Sequence, residues 1–170
     1  MFKAIFSENE ITSCKNFTGH SNIRTLILSK NKLTDCVGIQ TMSSLIELNL
    51  AENEIATLAD MRLLPSLKKL VLDNNKLTTL KNFPELPSLE VLDFSNNPME
   101  VDGELPHLSH LSALQKLNGA GCPFVDEKGD SFKQEVLIFL DMLKHMKSVN
   151  DDEVTEEDRV EARELKAERI

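Results

Sequence analysis

The chain has 170 residues, 41% of them apolar and 28% charged, with a formal charge of −9 at pH 7. The apolar share suffices for a buried core and excludes a disordered chain. The acidic balance argues against direct nucleic-acid binding, which needs a basic surface.

No apolar run reaches the roughly 18–20 residues needed to cross a membrane. The opening "MFKAIFSENE" lacks the apolar core and small-residue cleavage site of a signal peptide. Three cysteines without zinc-like spacing fit a reducing compartment, so the expected location is intracellular, nuclear or cytoplasmic.

In chain order, Asn9, Asn31, Asn53, Asn75 and Asn97 recur every 22 residues. Around them stand "MFKAIFSENEI", "IRTLILSKNKL", "LIELNLAENEI", "LKKLVLDNNKL" and "LEVLDFSNNPM". All fit L-x-x-L-x-L-x-x-N-x-L, the leucine-rich repeat, with Ala4 as a small substitute. Alternation at the third to sixth positions predicts a short strand with one face inward. Stacked strands predict an α/β solenoid of about six repeats over residues 1–125, with a parallel sheet on its concave face. Each Asn suits the turn after a strand, where its amide can satisfy unpaired backbone groups. The ladder Asn9, Asn31, Asn53, Asn75, Asn97 and Cys122 is read as structural.

Core columns continue on the convex side: Ile11, Leu33, Ile55 and Leu77, then Cys14, Cys36, Leu58 and Leu80, then Phe17, Ile39, Met61 and Phe83. Cys14 and Cys36 are read as buried apolar replacements for leucine. Met1 already stands at the first repeat position, so an open edge carrying Phe2, Ile5 and Phe6 is expected, guarded by Lys3.

Outward-facing positions line up in columns on the concave sheet. The third position reads Lys3, Thr25, Glu47, Lys69, Val91, Lys116, and the fifth reads Ile5, Ile27, Asn49, Val71, Asp93, Asn118. Ile and Val facing solvent predict a binding surface that is apolar toward the N-terminus and polar toward the C-terminus. The candidate partner-binding residues are Ile5, Thr25, Ile27, Glu47, Asn49, Lys69, Val71, Val91, Asp93, Lys116 and Asn118. The tenth position, Glu10, Lys32, Glu54 and Lys76, predicts alternating charge pairs between neighbouring repeats.

The sixth repeat, "LQKLNGAGCPF", follows after 25 residues with Cys122 at the Asn place. The extra residues fall in "VDGELPHLSHLSA", whose leucines predict a longer convex segment with helical character. Residues 126–153 then read as a C-terminal cap. Ser131 and Gln134 suggest a capping box, and Phe132, Val136, Phe139, Leu140 and Leu143 form one helical stripe facing the last repeat. "MKSVND" predicts a final strand. Residues 154–170 predict a charged helix started by Thr155 and Asp158. Glu157, Glu161, Glu164 and Glu168 share one face, and Arg159, Arg163, Lys166 and Arg169 the other. Lacking an apolar stripe, this helix is expected to project or fray.

The repeat length is similar to that of the leucine-rich regulator of protein phosphatase 1, axonemal dynein light chain 1 and the spliceosomal A-prime protein. The ending "LQKLNGAGCPFVDEKGDSFKQEVLIFLDMLKHMKSVNDDE" resembles that of the acidic leucine-rich nuclear phosphoproteins, with cysteine in the Asn slot, a capping helix and a closing strand followed by acids. The resemblance spans residues 1 to about 153. It lacks that family's N-terminal cap helix and long acidic tail, and has Phe132-Lys133 where an aromatic-Arg pair is common. It implies a regulator or adaptor that takes a basic or phosphatase-type protein partner on its concave face. A structural subunit of a fixed assembly, like the axonemal or spliceosomal proteins, is the alternative. A monomer, or weak self-association through the N-terminal edge, is expected.

Catalytic chemistry finds little support. His20, His107, His110 and His145 are scattered, and "HLSH" lacks the Glu and the spacing of a zinc-protease helix. There is no phosphate loop and no nucleophile in a recognisable setting. No catalytic residue, metal site, cofactor or membrane contact is predicted.

Overall fold

Every third to fifth position of a repeat forms a strand, because alternating side chains leave one face apolar and one polar. The computed structural model describes residues 2–17, 19–62, 64–141 and 144–170. Its strands are β1 (Lys3–Ile5), β2 (Thr25–Ile27), β3 (Glu47–Asn49), β4 (Lys69–Val71), β5 (Val91–Asp93) and β6 (Lys116–Asn118). They pair in parallel and in sequence order, each residue opposite its counterpart one repeat away. This is the register that stacks identical columns. The inward leucines Leu26, Leu48, Leu70 and Leu92 are fully buried, and the convex columns complete one continuous core. Burying each such side chain contributes roughly 1.5–3 kcal/mol, which no single repeat could collect alone.

The turn after each strand runs through the left-handed region at Glu8, Lys30, Glu52, Asn74 and Asn96, with φ between 53° and 58°. The Asn that follows holds it. Asn53 Nδ2 donates to the carbonyls of Leu50 and Leu28 at 3.0 Å, while its Oδ1 accepts the Leu33 N–H at 3.0 Å. Asn31, Asn75 and Asn97 repeat these contacts. Asn9 makes only the local ones, to the carbonyls of Phe6 and Ser7, since no strand precedes β1 among the described residues. At the far end Cys122 Sγ donates to the Phe94 carbonyl at 3.3 Å. A thiol does not replace the amide oxygen, and the Met99 N–H turns instead to the Asn97 carbonyl.

The insertion of the sixth repeat carries a 3₁₀ turn over Leu105–Leu108. Glu104 anchors it. Its buried carboxylate accepts the Thr79 hydroxyl at 2.9 Å and the Leu80 N–H at 2.5 Å. Replacing Glu104 with alanine leaves that N–H unpaired and is expected to cost about 2 kcal/mol. Urea denaturation of the variant measures it; a loss within experimental error would make the anchor dispensable.

The cap differs from its sequence reading in four respects. It begins earlier, with α1 (Pro123–Lys128) packing Phe124 and Val125 inward ahead of α2 (Ser131–Phe139). Ser131 does not cap α2; its hydroxyl donates to the Lys128 carbonyl, because the preceding Gly129–Asp130 turn places it already inside the helix. The buried arc of α2 runs from Phe132 through Val136 to Leu137 and continues at Leu140. Phe139 lies outside this arc, 43% exposed, with the Arg169 guanidinium 5.9 Å above its ring. Leu143 lies outside the described residues. The fourth difference is the final sheet edge. β7 (Ser148–Val149) continues the parallel stack as expected, but β8 (Asp152–Glu153) folds back antiparallel over it.

The terminal helix α3 (Glu156–Glu168) neither projects nor frays; it docks on α2. Its capping box forms as read, with Asp158 and Thr155 satisfying each other's backbone. The docking rests on polar contacts around one fully buried small residue, Ala162. Lys133 Nζ meets Asp158 at 2.9 Å and Asp152 at 2.6 Å, and donates to the Glu153 carbonyl at 3.1 Å. Gln134 donates to Glu161, Lys166 pairs with Asp141 at 2.5 Å, and Arg169 with Glu135 at 2.8 Å.

Candidate functional site

The parallel stack places the third and fifth positions of every repeat side by side on the concave sheet. Exposure alternates as a half-buried strand requires. Ile5 is 59% exposed; Ile27, Asn49, Val71, Val91, Asp93 and Asn118 are half-buried; Lys69 and Lys116 are exposed. Thr25 departs from the expected column. It is only 4% exposed, a short side chain between the long Lys3 and Glu47 that flank it in register. Glu47 also pairs with Lys69 across the sheet at 3.1 Å, so two members of the column partly satisfy each other.

In the C-terminal half two carboxylates meet on this surface, one of them at a residue the column count missed. Ser95 sits with its hydroxyl 2.8 Å from Asp73 Oδ1 and 2.5 Å from Asp93 Oδ1. Asn96 and Asn74 donate to Asp73, and the Ser95 N–H donates to Asp93. Asp73 belongs to the seventh position, at the strand's exit, and reaches the fifth-position Asp93 of the next repeat only because the strands are in register. An Asp amid Ser and Ala in that column was the available signal. The concave strip thus joins branched apolar side chains to a pair of carboxylates one strand apart.

The tenth-position charge ladder is realised once, as Lys32 to Glu10 at 3.2 Å. Other inter-repeat pairs among the described residues use different columns: Lys30 with Glu8, Lys68 with Glu90 and the Lys69–Glu47 pair of the concave sheet. Exposed to solvent and screened by it, such pairs add little to stability. The three cysteines are free and buried. Burial pushes the Cys14 thiol up to about 12 and the Cys122 thiol up to about 11, with Cys36 raised further, so none is a nucleophile near neutral pH. Among the described residues no helix is long and apolar enough to cross a membrane.

This geometry is that of a leucine-rich-repeat solenoid. Residues 65–102 match a family profile described as leucine-rich repeats in two copies. None of the curated protein sequences compared with the chain matches significantly. Solved structures with the same architecture include an internalin of Listeria monocytogenes, 22% identical with a TM-score of 0.68 over 90% of this chain and 41% of the internalin. A leucine-rich-repeat protein of Leptospira interrogans is 24% identical with a TM-score of 0.68 over 83% of this chain and 36% of its own. TLR13, in its complex with ssRNA13, is 23% identical with a TM-score of 0.67 over 87% of this chain and 21% of its own. The chain therefore spans less than half the length of each of these structures, and at these identities the likeness concerns the fold.

Proposed function

We propose that the chain is a non-catalytic, intracellular protein-interaction module, a regulator or adaptor that takes its partner on the concave sheet. The observation that carries this reading is the outward pair Val71 and Val91 beside the Asp73–Asp93 carboxylates, with outward Ile27 two strands away. Branched apolar side chains supply contact area, and two neighbouring carboxylates favour a partner that presents basic side chains. The net charge of −9 supports the same partner class over a nucleic acid. Six repeats at about 4.8 Å per strand offer a strip on the order of 30 Å, long enough for a helix, a tail or one face of a small domain.

The alternative, a structural subunit of a fixed assembly, draws support from the exposed apolar side chains of Phe2 and Ile5 at β1.

The test is a pull-down comparing the unaltered chain with Ile27→Glu plus Val71→Glu, after circular dichroism shows both folded. The expected result is loss of the specific partner, by at least about tenfold in recovered amount. Equal recovery by both proteins would remove the concave sheet from consideration and turn attention to the β1 edge.

A further inference from the structure

The β7–β8 hairpin walls the concave strip beyond β6. Its two-residue turn, Asn150 and Asp151, runs through the left-handed region with φ of 49° and 61°. Asn150 fastens the turn to the last repeat: its N–H donates to the Leu117 carbonyl and its Oδ1 accepts the Gly119 N–H, both at 2.9 Å. Between β5, β6 and this hairpin lies a cleft of about 420 Å³, lined by Val91, Asp93, Lys116, Asn118, Asp151 and Glu153. Val91 and Asp93 belong to the proposed binding surface, so whatever holds β8 shapes that end of it. β8 holds itself weakly. It pairs with β7 over two residues, and the Val154 N–H donates to the Lys147 carbonyl at 2.9 Å. Lys133 supplies further ties, through Asp152 and the Glu153 carbonyl.

The same ammonium reaches Asp158 in the first turn of α3, whose N-cap Thr155 follows directly on Val154. Docked, that turn shields the Lys133 bonds; in open water such pairs are screened and hold little. α3 is itself loosely seated. Ala162 is its one fully buried residue, and a crevice of about 730 Å³ lined by Lys133, Gln134, Asn150, Glu161 and Leu165 remains beneath it. Gln134 Oε1 is buried there without a hydrogen-bond partner among the described residues. The far end is held by charge, with the Arg169 guanidinium on both oxygens of Glu135 at 2.8 and 3.4 Å. An element seated this way opens at a lower free energy than the solenoid core. We propose that α3 is a charge-sensitive clasp on the concave site. Docked, it keeps β8 a firm wall; released, it lets β8 fray and the cleft beside Val91 and Asp93 widen. The clasp rests on the concave-sheet reading for its role in binding, though not for the coupling between α3 and β8. By reciprocity, a partner that engages Asp151 or Glu153 changes the docking of α3 by the same factor.

Hydrogen exchange of the full chain, resolved by NMR along α3 and at the Val154 amide, tests the coupling without a partner. Arg169→Glu sets like charges together at Glu135, at the end of α3 remote from β8. It is expected to speed exchange along α3 and at Val154 together, by about fivefold or more, with β2–β5 unchanged. Glu135→Arg does the same. Combining the two substitutions restores an ion pair and slows exchange at both places again. That recovery separates loss of docking from loss of the helix itself, which a second reversal does not repair. Fast exchange along α3 with Val154 unchanged overturns the proposal and leaves α3 an appendage. So do single variants that leave α3 protected, or a combined variant no slower than either alone. Failure of the concave-sheet reading shows separately, as equal partner recovery by the Ile27→Glu plus Val71→Glu chain.

Discussion

Asn75→Ala is expected to destabilise the chain by about 3 kcal/mol, mostly through one backbone group. The Ile55 N–H loses its acceptor, Asn75 Oδ1, in a buried site. The two carbonyls to which Asn75 donates most closely fare better, because the ladder is shared. Leu50 O still receives Asn53 Nδ2, and Leu72 O still receives Asn97 Nδ2. The cost is therefore one orphaned donor at about 1–3 kcal/mol and two weakened bonds at about 0.5–1 kcal/mol each. Asn75→Cys should cost less, since a thiol keeps a weak donor, as Cys122 does toward Phe94. Urea denaturation of the pair checks both magnitude and order. A loss under about 1 kcal/mol for Asn75→Ala would mean that the turns hold without the ladder.

The second large effect belongs to Lys133. Its side chain is only 17% exposed, and its ammonium joins α2 to both β8 and α3 through Asp152, Asp158 and the Glu153 carbonyl. Lys133→Met retains much of the stem but leaves two carboxylates without their cation. The expected loss is about 2–3 kcal/mol, discounted from a fully buried pair because Asp152 is exposed. Hydrogen exchange should show α3 losing protection first, with β2–β5 unaffected. The same docking has an acid limit. Burial works to raise the Asp158 carboxyl, but the Lys133 and Thr155 hydrogen bonds outweigh it and hold the group below its ordinary 3.8. Lys166 lowers Asp141 likewise. A carboxylate held low when folded stabilises above its unfolded value, and this contribution fades as pH falls from 3.8 toward the lower folded value. Docking of α3 should thus survive to about pH 4 and fail below it.

The repeat portion of the fold was legible because its determinants are local and periodic. Each strand needs only its own alternation, each turn its own Asn, and the constant spacing of Asn9 through Asn97 sets the register between them. The terminal helix was not legible by the same means. An apolar-stripe criterion does not score Lys166 with Asp141 or Arg169 with Glu135, pairs separated by 25 and 34 residues. Phe139 was placed on the buried face because the stripe assumed that only the last repeat lies against α2. Packing on α3 as well widens the buried arc toward Leu137 and Ile138. At the concave sheet, column counting located the outward residues, but burial of Thr25 and the entry of Asp73 depend on neighbouring side chains. Glu104 escaped notice because its partners, Thr79 and Leu80, lie in another repeat.

The central claim is that the concave sheet is the binding surface, and side-chain footprinting of the chain with its recovered partner tests it most directly. Hydroxyl-radical labelling with and without that partner would be read residue by residue. The account predicts protection at Ile27, Val71 and Val91, with the convex Pro84–Pro87 segment and α3 unchanged. Protection confined to the convex segment or to α3, with those three residues labelled equally in both states, would contradict it.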